Sequence, residues 1–174
     1  SLGVTYYTGN CHKWLCAPKG SGFLYARPEA QPLLEPLAFS WDWPGEEWAE
    51  RYRWTGTHDP AAQLAVGAAI DFQAEHDWDA VRARCHELCV EAVRALGLEP
   101  FAADEDEFVQ MVSLRLPPCD AEELCLRLFR EHRIEVLAQS WRGVPTLRVS
   151  FQGYNDANDL DALAAALQRV TVSA

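Results

Sequence analysis

Lys13 follows the β-branched and aromatic run Val4-Thr5-Tyr6-Tyr7 and sits within Gly9-Asn10-Cys11-His12-Lys13-Trp14, ahead of the glycine-rich stretch Pro18-Lys19-Gly20-Ser21-Gly22. A primary amine delivered at the end of a strand, beside an imidazole, is placed to form a Schiff base with an aldehyde cofactor. The alternative is a solvated lysine after a turn, and one Lys beside one His fits both readings. Lys13 and Lys19 are the only lysines among 15 basic residues, so amine chemistry has two candidate side chains.

The other reactive side chains are six cysteines, spaced Cys11-x4-Cys16, Cys85-x3-Cys89 and Cys119-x5-Cys125. None of these is the C-x2-C knuckle of a structural zinc site. Cys85, His86 and Cys89 are the best metal candidates, because Cys85 and Cys89 share a helix face. Two small hydrophobes on a buried face give the same spacing, and that reading is preferred, so no metal is expected. Thiols scattered through a chain that is 49% hydrophobic need not staple it, which points to reduced cysteines and a cytoplasmic location.

These side chains need elements to position them. Val4–Tyr7 and Gly22–Ala26 read as short strands, with the lysine loop between them. From Pro28 to Gly56 the composition shifts to Pro, Trp and acids (Pro32, Pro36, Trp41, Trp43, Pro44, Trp48, Trp54), a long irregular segment of the kind that often carries function. A helix is predicted from Asp59-Pro60, an acidic cap followed by Pro at the first helical position, to about Glu75. A second is predicted from a cap near Asp77 through Trp78–Leu96 to Gly97, burying Val81, Cys85, Leu88, Cys89, Ala92 and Leu96. Then come a strand over Phe108–Leu116, a helix over Asp120–His132 with Leu124, Leu128 and Phe129 inward, strands over Ile134–Gln139 and Pro145–Phe151, and a helix over about Asn158–Val170. From residue 76 onward this is a small α+β domain with helices on one face of an antiparallel or mixed sheet. The two strands of the first 28 residues lack partners of their own and are expected to complete a sheet whose other strands lie elsewhere.

The whole-chain totals set limits. With 174 residues, 26 acids against 15 Lys+Arg and a net charge of -11, the summed field repels phosphate backbones and anionic lipid, so no nucleic-acid partner is expected. The longest apolar run, Leu64 to Ile70, falls far short of the ~20 residues of a membrane span, so no membrane partner is expected either. The chain opens Ser1-Leu2-Gly3-Val4, without an initiator Met or a basic and apolar leader, and reads as cut from a longer one.

Three ordered segments carry a family resemblance. Tyr6-Tyr7-Thr8-Gly9-Asn10-Cys11-His12-Lys13-Trp14, followed by Pro18-Lys19-Gly20, resembles the lysine loop of class V, fold type I pyridoxal-phosphate enzymes, in particular their isopenicillin N epimerase-like branch. Gly56-Thr57-His58-Asp59-Pro60, leading into a helix, is similar to that branch's Gly-Thr-x-Asp-Pro element, with His58 where many members carry Arg. Leu147-Arg148-Val149-Ser150, then Tyr154-Asn155 and Asp159-Leu160-Asp161, resembles its C-terminal Arg-x-Ser signature.

The resemblance implies the cofactor pyridoxal 5'-phosphate, with Lys13 as the catalytic residue that forms the internal Schiff base. His12 would help hold the cofactor phosphate and Asn10 would add a polar contact. Gly56 and Thr57 would reach the phosphate of the neighbouring subunit's cofactor in a homodimer with shared active sites. Arg148 would pair with the α-carboxylate of a small amino-acid substrate. Residues 1–75 would be the C-terminal part of an α/β large domain and 76–174 a complete small α+β domain, with an N-terminal large-domain segment missing. The implied reaction starts by loss of the α-proton and ends as epimerisation; a C–S lyase or an aminotransferase of the same class is the alternative, as is a non-catalytic fragment kept as a dimerisation module. Desulfurases of the class carry a nucleophilic Cys shortly before the substrate-binding arginine, and Ile134 to Ser150 contains none.

Overall fold

The computed structural model describes residues 3–41, 43 and 45–172, so Pro44 of the Trp-rich segment and Ser1-Leu2 lie outside the described residues. The chain divides into two compact units, Ser1–His76 and Asp77–Ala174.

In the first unit, β1 (Tyr6–Asn10) and β2 (Gly22–Ala26) pair antiparallel, with Tyr6 opposite Ala26 and Asn10 opposite Gly22. Their approach depends on two glycines. A Cβ on Gly9 would stand 2.8 Å from the Phe23 ring, and one on Gly22 would stand 3.0 Å from the Gly9 carbonyl oxygen. The strand expected at Val4–Tyr7 therefore starts later and ends at Asn10, because Thr8 and Gly9 continue the ladder opposite Leu24 and Phe23. A 3-10 turn at Pro28–Leu33 and a single helical turn, α1 (Glu50–Arg53), frame the Trp-rich segment. There the rings pair locally, Phe39 with Trp43, Trp48 with Tyr52 and Trp54 with His58, while Trp41 is 92% exposed.

The helix expected from Pro60 to Glu75 is two helices, α2 (Ala61–Leu64) and α3 (Val66–Glu75), joined at Ala65. Pro60 occupies the cap position, and the Asp59 carboxylate accepts the Ala61 N–H at 2.9 Å. Leu64, Ile70 and Phe72 are exposed within this unit.

The second unit opens with α4 (Trp78–Leu96), which ends at Gly97 in the left-handed conformation. Asp77 at its start is also left-handed, and it caps by its backbone carbonyl, which accepts from Ala80 and Val81, rather than by its side chain. Next come β3 (Met111–Arg115), α5 (Ala121–His132), β4 (Leu137–Trp141), β5 (Val144–Ser150) and α6 (Ala157–Val172). The sheet is antiparallel, ordered β3-β5-β4, with Arg148 opposite both Ser113 and Leu137.

Alternation along these strands separates two faces. Val112, Leu114, Ala138, Leu147 and Val149 join Cys85, Leu88, Cys89, Leu124, Leu128, Leu160 and Leu163 from the three helices in one core cluster. Ser113, Leu137, Arg148 and Ser150 occupy the other face. The β4–β5 connection is Arg142-Gly143, both at positive φ, which is the two-residue hairpin turn that matches strand twist. β4 starts at Leu137 rather than Ile134, and β3 at Met111 rather than Phe108. Phe129, expected inward, is 58% exposed, because Leu124 and Leu128 already fill the face of α5 turned to the sheet.

Candidate active site

The lysine loop, residues 11–21, is fixed by its ends and presents its middle. Cys11 N–H donates to the Ser21 carbonyl at 3.1 Å, carrying the β1–β2 ladder one step further, and Ala17 N–H donates to the Cys11 carbonyl at 3.0 Å. The Ser21 hydroxyl donates to the Pro18 carbonyl at 2.9 Å. Cys11, Ala17 and Ser21 are buried. Between these anchors the Cys16 N–H closes a turn onto the Lys13 carbonyl at 2.9 Å, with Cys16 itself at positive φ. Lys13 is exposed at that turn, and its amine has no hydrogen-bond or ion-pair partner among the described residues.

His12 is held in place next to it. Its Nδ1 lies 3.0 Å from the Ser21 carbonyl, which fixes the N–H on Nδ1 and leaves Nε2 for another group. Asn10, the last residue of β1, is exposed, and its carbonyl accepts the Lys13 N–H at 3.4 Å. A residue not singled out from the sequence completes the support. Gln73 of α3 is buried and donates through Nε2 to the Trp14 carbonyl at 2.9 Å, tying the residue after the lysine to a helix 59 positions on. Gln73 stands between Asp71 and Glu75 in the helix, so its polarity gave no signal of its own.

Gly56 and Thr57 belong to the same unit, but no hydrogen bond joins either to Asn10, His12 or Lys13 among the described residues. Gly56 has φ +126°, a conformation that L side chains rarely adopt, and its carbonyl lies 2.8 Å from His58 Nδ1. Thr57 is exposed. The donor set on the lysine loop, a free primary amine and an oriented imidazole, fits the aldehyde end and one polar edge of an aldehyde cofactor.

In the second unit, Arg148 projects from the central strand on the face away from the core, without an ion pair or side-chain hydrogen bond among the described residues. It lines an open depression of about 660 Å³ together with Glu135, Val136, Leu137, Ser150, Tyr154 and Asn155. The Arg-x-Ser and Tyr-Asn pieces of one sequence pattern therefore meet in one place. Asn155 is locked: its Oδ1 accepts the Gln152 N–H at 2.9 Å and its Nδ2 donates to Asp159 at 3.0 Å. Glu135 is the charged lining residue that sequence reasoning did not single out; an isolated acid between Ile134 and Val136 carries no spacing signal.

Cys85 and Cys89 are both fully buried on α4. Burial, and then the neighbouring Cys85, push the Cys89 thiol up to about 12. Among the described residues no group of three or more His, Cys, Asp or Glu is arranged to hold a metal ion. No helix among them is long and apolar enough to cross a membrane.

Comparison with known proteins adds the family. The chain is 36% identical over 187 residues to isopenicillin N epimerase of Streptomyces clavuligerus, covering 95% of this chain and 47% of that one. It is 28% identical over 190 residues to a probable chloroplastic L-cysteine desulfhydrase of Arabidopsis thaliana, covering 95% of this chain and 40% of that one. Among solved structures, a mutant of C-DES with glycine covalently linked to its pyridoxal-phosphate cofactor superposes with a TM-score of 0.71 at 20% identity, covering 95% of this chain and 46% of that one. The chain thus spans about half the length of the relatives it matches, and its fold is that of fold type I enzymes. The family model "Aminotransferase class-V" matches residues 1–163, and the chain accordingly belongs to the class V aminotransferase family, whose cofactor is pyridoxal phosphate.

Proposed function

We propose that this chain is the C-terminal part of a pyridoxal-phosphate enzyme that moves the α-proton of an amino acid or amino-acid derivative, with epimerisation as the outcome. Residues 1–75 would complete the cofactor-binding domain and 76–174 would form the small domain. The observation that carries the reading is the presentation of Lys13: a free amine on an exposed turn, held by buried anchors on both sides. When bound, the cofactor supplies an aldehyde for amines and a ring that accepts the electron pair left by a departing α-proton.

The chain's own residues would do the rest. Lys13 Nζ would hold the cofactor at its aldehyde and would carry the proton at the substrate Cα. His12, turned by Ser21, and Asn10 offer polar contacts at the cofactor's edge. Arg148 binds the α-carboxylate as a planar, two-pronged donor. Gly56 and Thr57 would serve the cofactor of a second copy in a homodimer. Among the described residues no disulfide joins the six cysteines, which fits a reducing cytoplasm.

A C–S lyase acting on a sulfur amino acid is the second reading, favoured by the desulfhydrase relative. Within the class, a desulfurase type is disfavoured by the lining of the Arg148 depression, which includes no thiol; Cys125 is turned to the Val136 carbonyl, 3.1 Å away.

The test is to add pyridoxal phosphate to the chain, reduce with borohydride and locate the adduct by peptide mass spectrometry. The expected label is on Lys13, well above Lys19 and the amino terminus, and absent from Lys13→Ala. Equal labelling of both lysines would overturn the role of Lys13.

A further inference from the structure

The Arg148 depression contains one guanidinium and one carboxylate, and they do not satisfy each other. Neither Arg148 nor Glu135 has an ion pair or side-chain hydrogen bond among the described residues. Asn155, the neighbouring amide, has both its side-chain atoms committed to Gln152 and Asp159. Among the described residues Glu135 is the sole anion lining this depression. A second cavity of about 290 Å³ shares Glu135, Val136, Ser150 and Asn155 with the first, and its walls combine the apolar Val149, Phe151, Leu160 and Leu163 with His132, Arg133 and Asp159.

The geometry follows from the sheet. Leu137 opposite Arg148 is the last pair between β4 and β5. Before Leu137 the chain leaves the ladder, and Glu135 and Val136 line the depression beside the end of β5, with Ile134 and Val136 also packed against the core. Glu135 therefore lines both the Arg148 depression and the second cavity. A ligand anchored by its carboxylate on Arg148 and extending into the second cavity would pass Glu135.

We propose that Glu135 is a specificity residue: it favours amino acids whose side chain carries a cation or an N–H donor and disfavours those with a second carboxylate. This rests on the reading of Arg148 as the α-carboxylate anchor. Both groups are exposed, so solvent screening keeps each charge effect to a few-fold, and attraction of a cation plus repulsion of an anion gives a ratio of about tenfold.

The experiment titrates the 174-residue chain with Nα-acetyl-L-ornithine, Nα-acetyl-L-norvaline and Nα-acetyl-L-glutamate, following the backbone amides of Ser150, Tyr154 and Asn155 by NMR. The acetyl group removes the α-ammonium, which the cofactor aldehyde would otherwise engage, so that Glu135 meets only the side chain. The expected order is ornithine over norvaline over glutamate, with about tenfold between the extremes. Glu135→Gln should collapse that ratio toward one, Glu135→Lys should invert it, and Arg148→Gln should weaken all three ligands alike. A merely structural role for Glu135 would move all affinities together and leave the ratio intact, which overturns the proposal. Equal wild-type affinities that still depend on Arg148 overturn it too, while leaving the anchor in place. Binding that ignores Arg148→Gln, or no binding at all, overturns the anchor and the specificity role together.

Discussion

Cys89 shows how much a single buried group reveals about its surroundings. On the core face of α4, four residues after Cys85, it is removed from water, and the thiolate form is disfavoured first by that burial and second by its neighbour. Its folded-state value of about 12 lies above the ordinary 9.0. Above about pH 9 the unfolded chain gives up this proton and the folded chain keeps it. The group's contribution to stability is therefore complete below the ordinary value and is lost as pH rises toward about 12. Wild-type Tm should fall more steeply above pH 9 than that of Cys89→Ala, which lacks the titrating group; parallel Tm-against-pH curves would contradict this. Cys16 lies at the opposite extreme, exposed at a left-handed turn three residues from Lys13.

At the scale of elements, α6 is started by a reciprocal cap. Asp156 Oδ1 accepts the Asn158 N–H at 2.8 Å, and Asp159 Oδ2 reaches back to the Asp156 N–H at 3.2 Å. This is the capping-box arrangement with carboxylates in both roles, and it also holds Asn155 at the rim of the Arg148 depression. Asp156→Ala should cost about 1 kcal/mol, measured by urea unfolding, with the larger local effect in faster amide exchange over residues 152–158. A change within error of zero would mean that the turn is held by Asn155 alone.

The same scale explains which elements were readable from sequence. The span of α4 matches the expectation from Trp78 to Leu96, because large and small side chains alternate at helical spacing and a glycine stands just past the end. The break at Ala65 was not readable. Ala61, Ala62, Ala65, Gly67, Ala68 and Ala69 are too small to impose a face, so local backbone preference decides where the helix divides. The strand ends moved for a related reason. Ladders continue wherever a partner is available, as at Gly9 opposite Phe23, and pairing partners are not visible from one segment alone. Lys13 was legible from its place after a strand and beside His12, and Arg148 only from the family motif around it. Gln73 and Glu135 were not, since what marks them is a distant carbonyl in one case and a gap in a sheet ladder in the other.

For the molecule as a whole, apolar burial is unevenly divided. Every residue of the core cluster, from Cys85 to Val170, belongs to the second unit, where three helices cover one face of a three-stranded sheet. The first unit has a two-stranded ribbon with Tyr6, Tyr7, Phe23, Leu24 and Tyr25 all exposed on it. A two-stranded ribbon is marginal in water, whereas a sheet with one packed face supports independent stability. Expressed separately, residues 77–174 should unfold in a single cooperative transition by near-UV circular dichroism and fluorescence. Residues 1–76 alone should show no such transition and should self-associate as concentration rises, through apolar side chains that a soluble monomer rarely exposes together. A cooperative, monodisperse first unit would mean that its ribbon and helices stabilise one another beyond what their burial indicates. A second unit that fails alone would mean that its core cluster, extensive as it is, needs support from the rest of the chain.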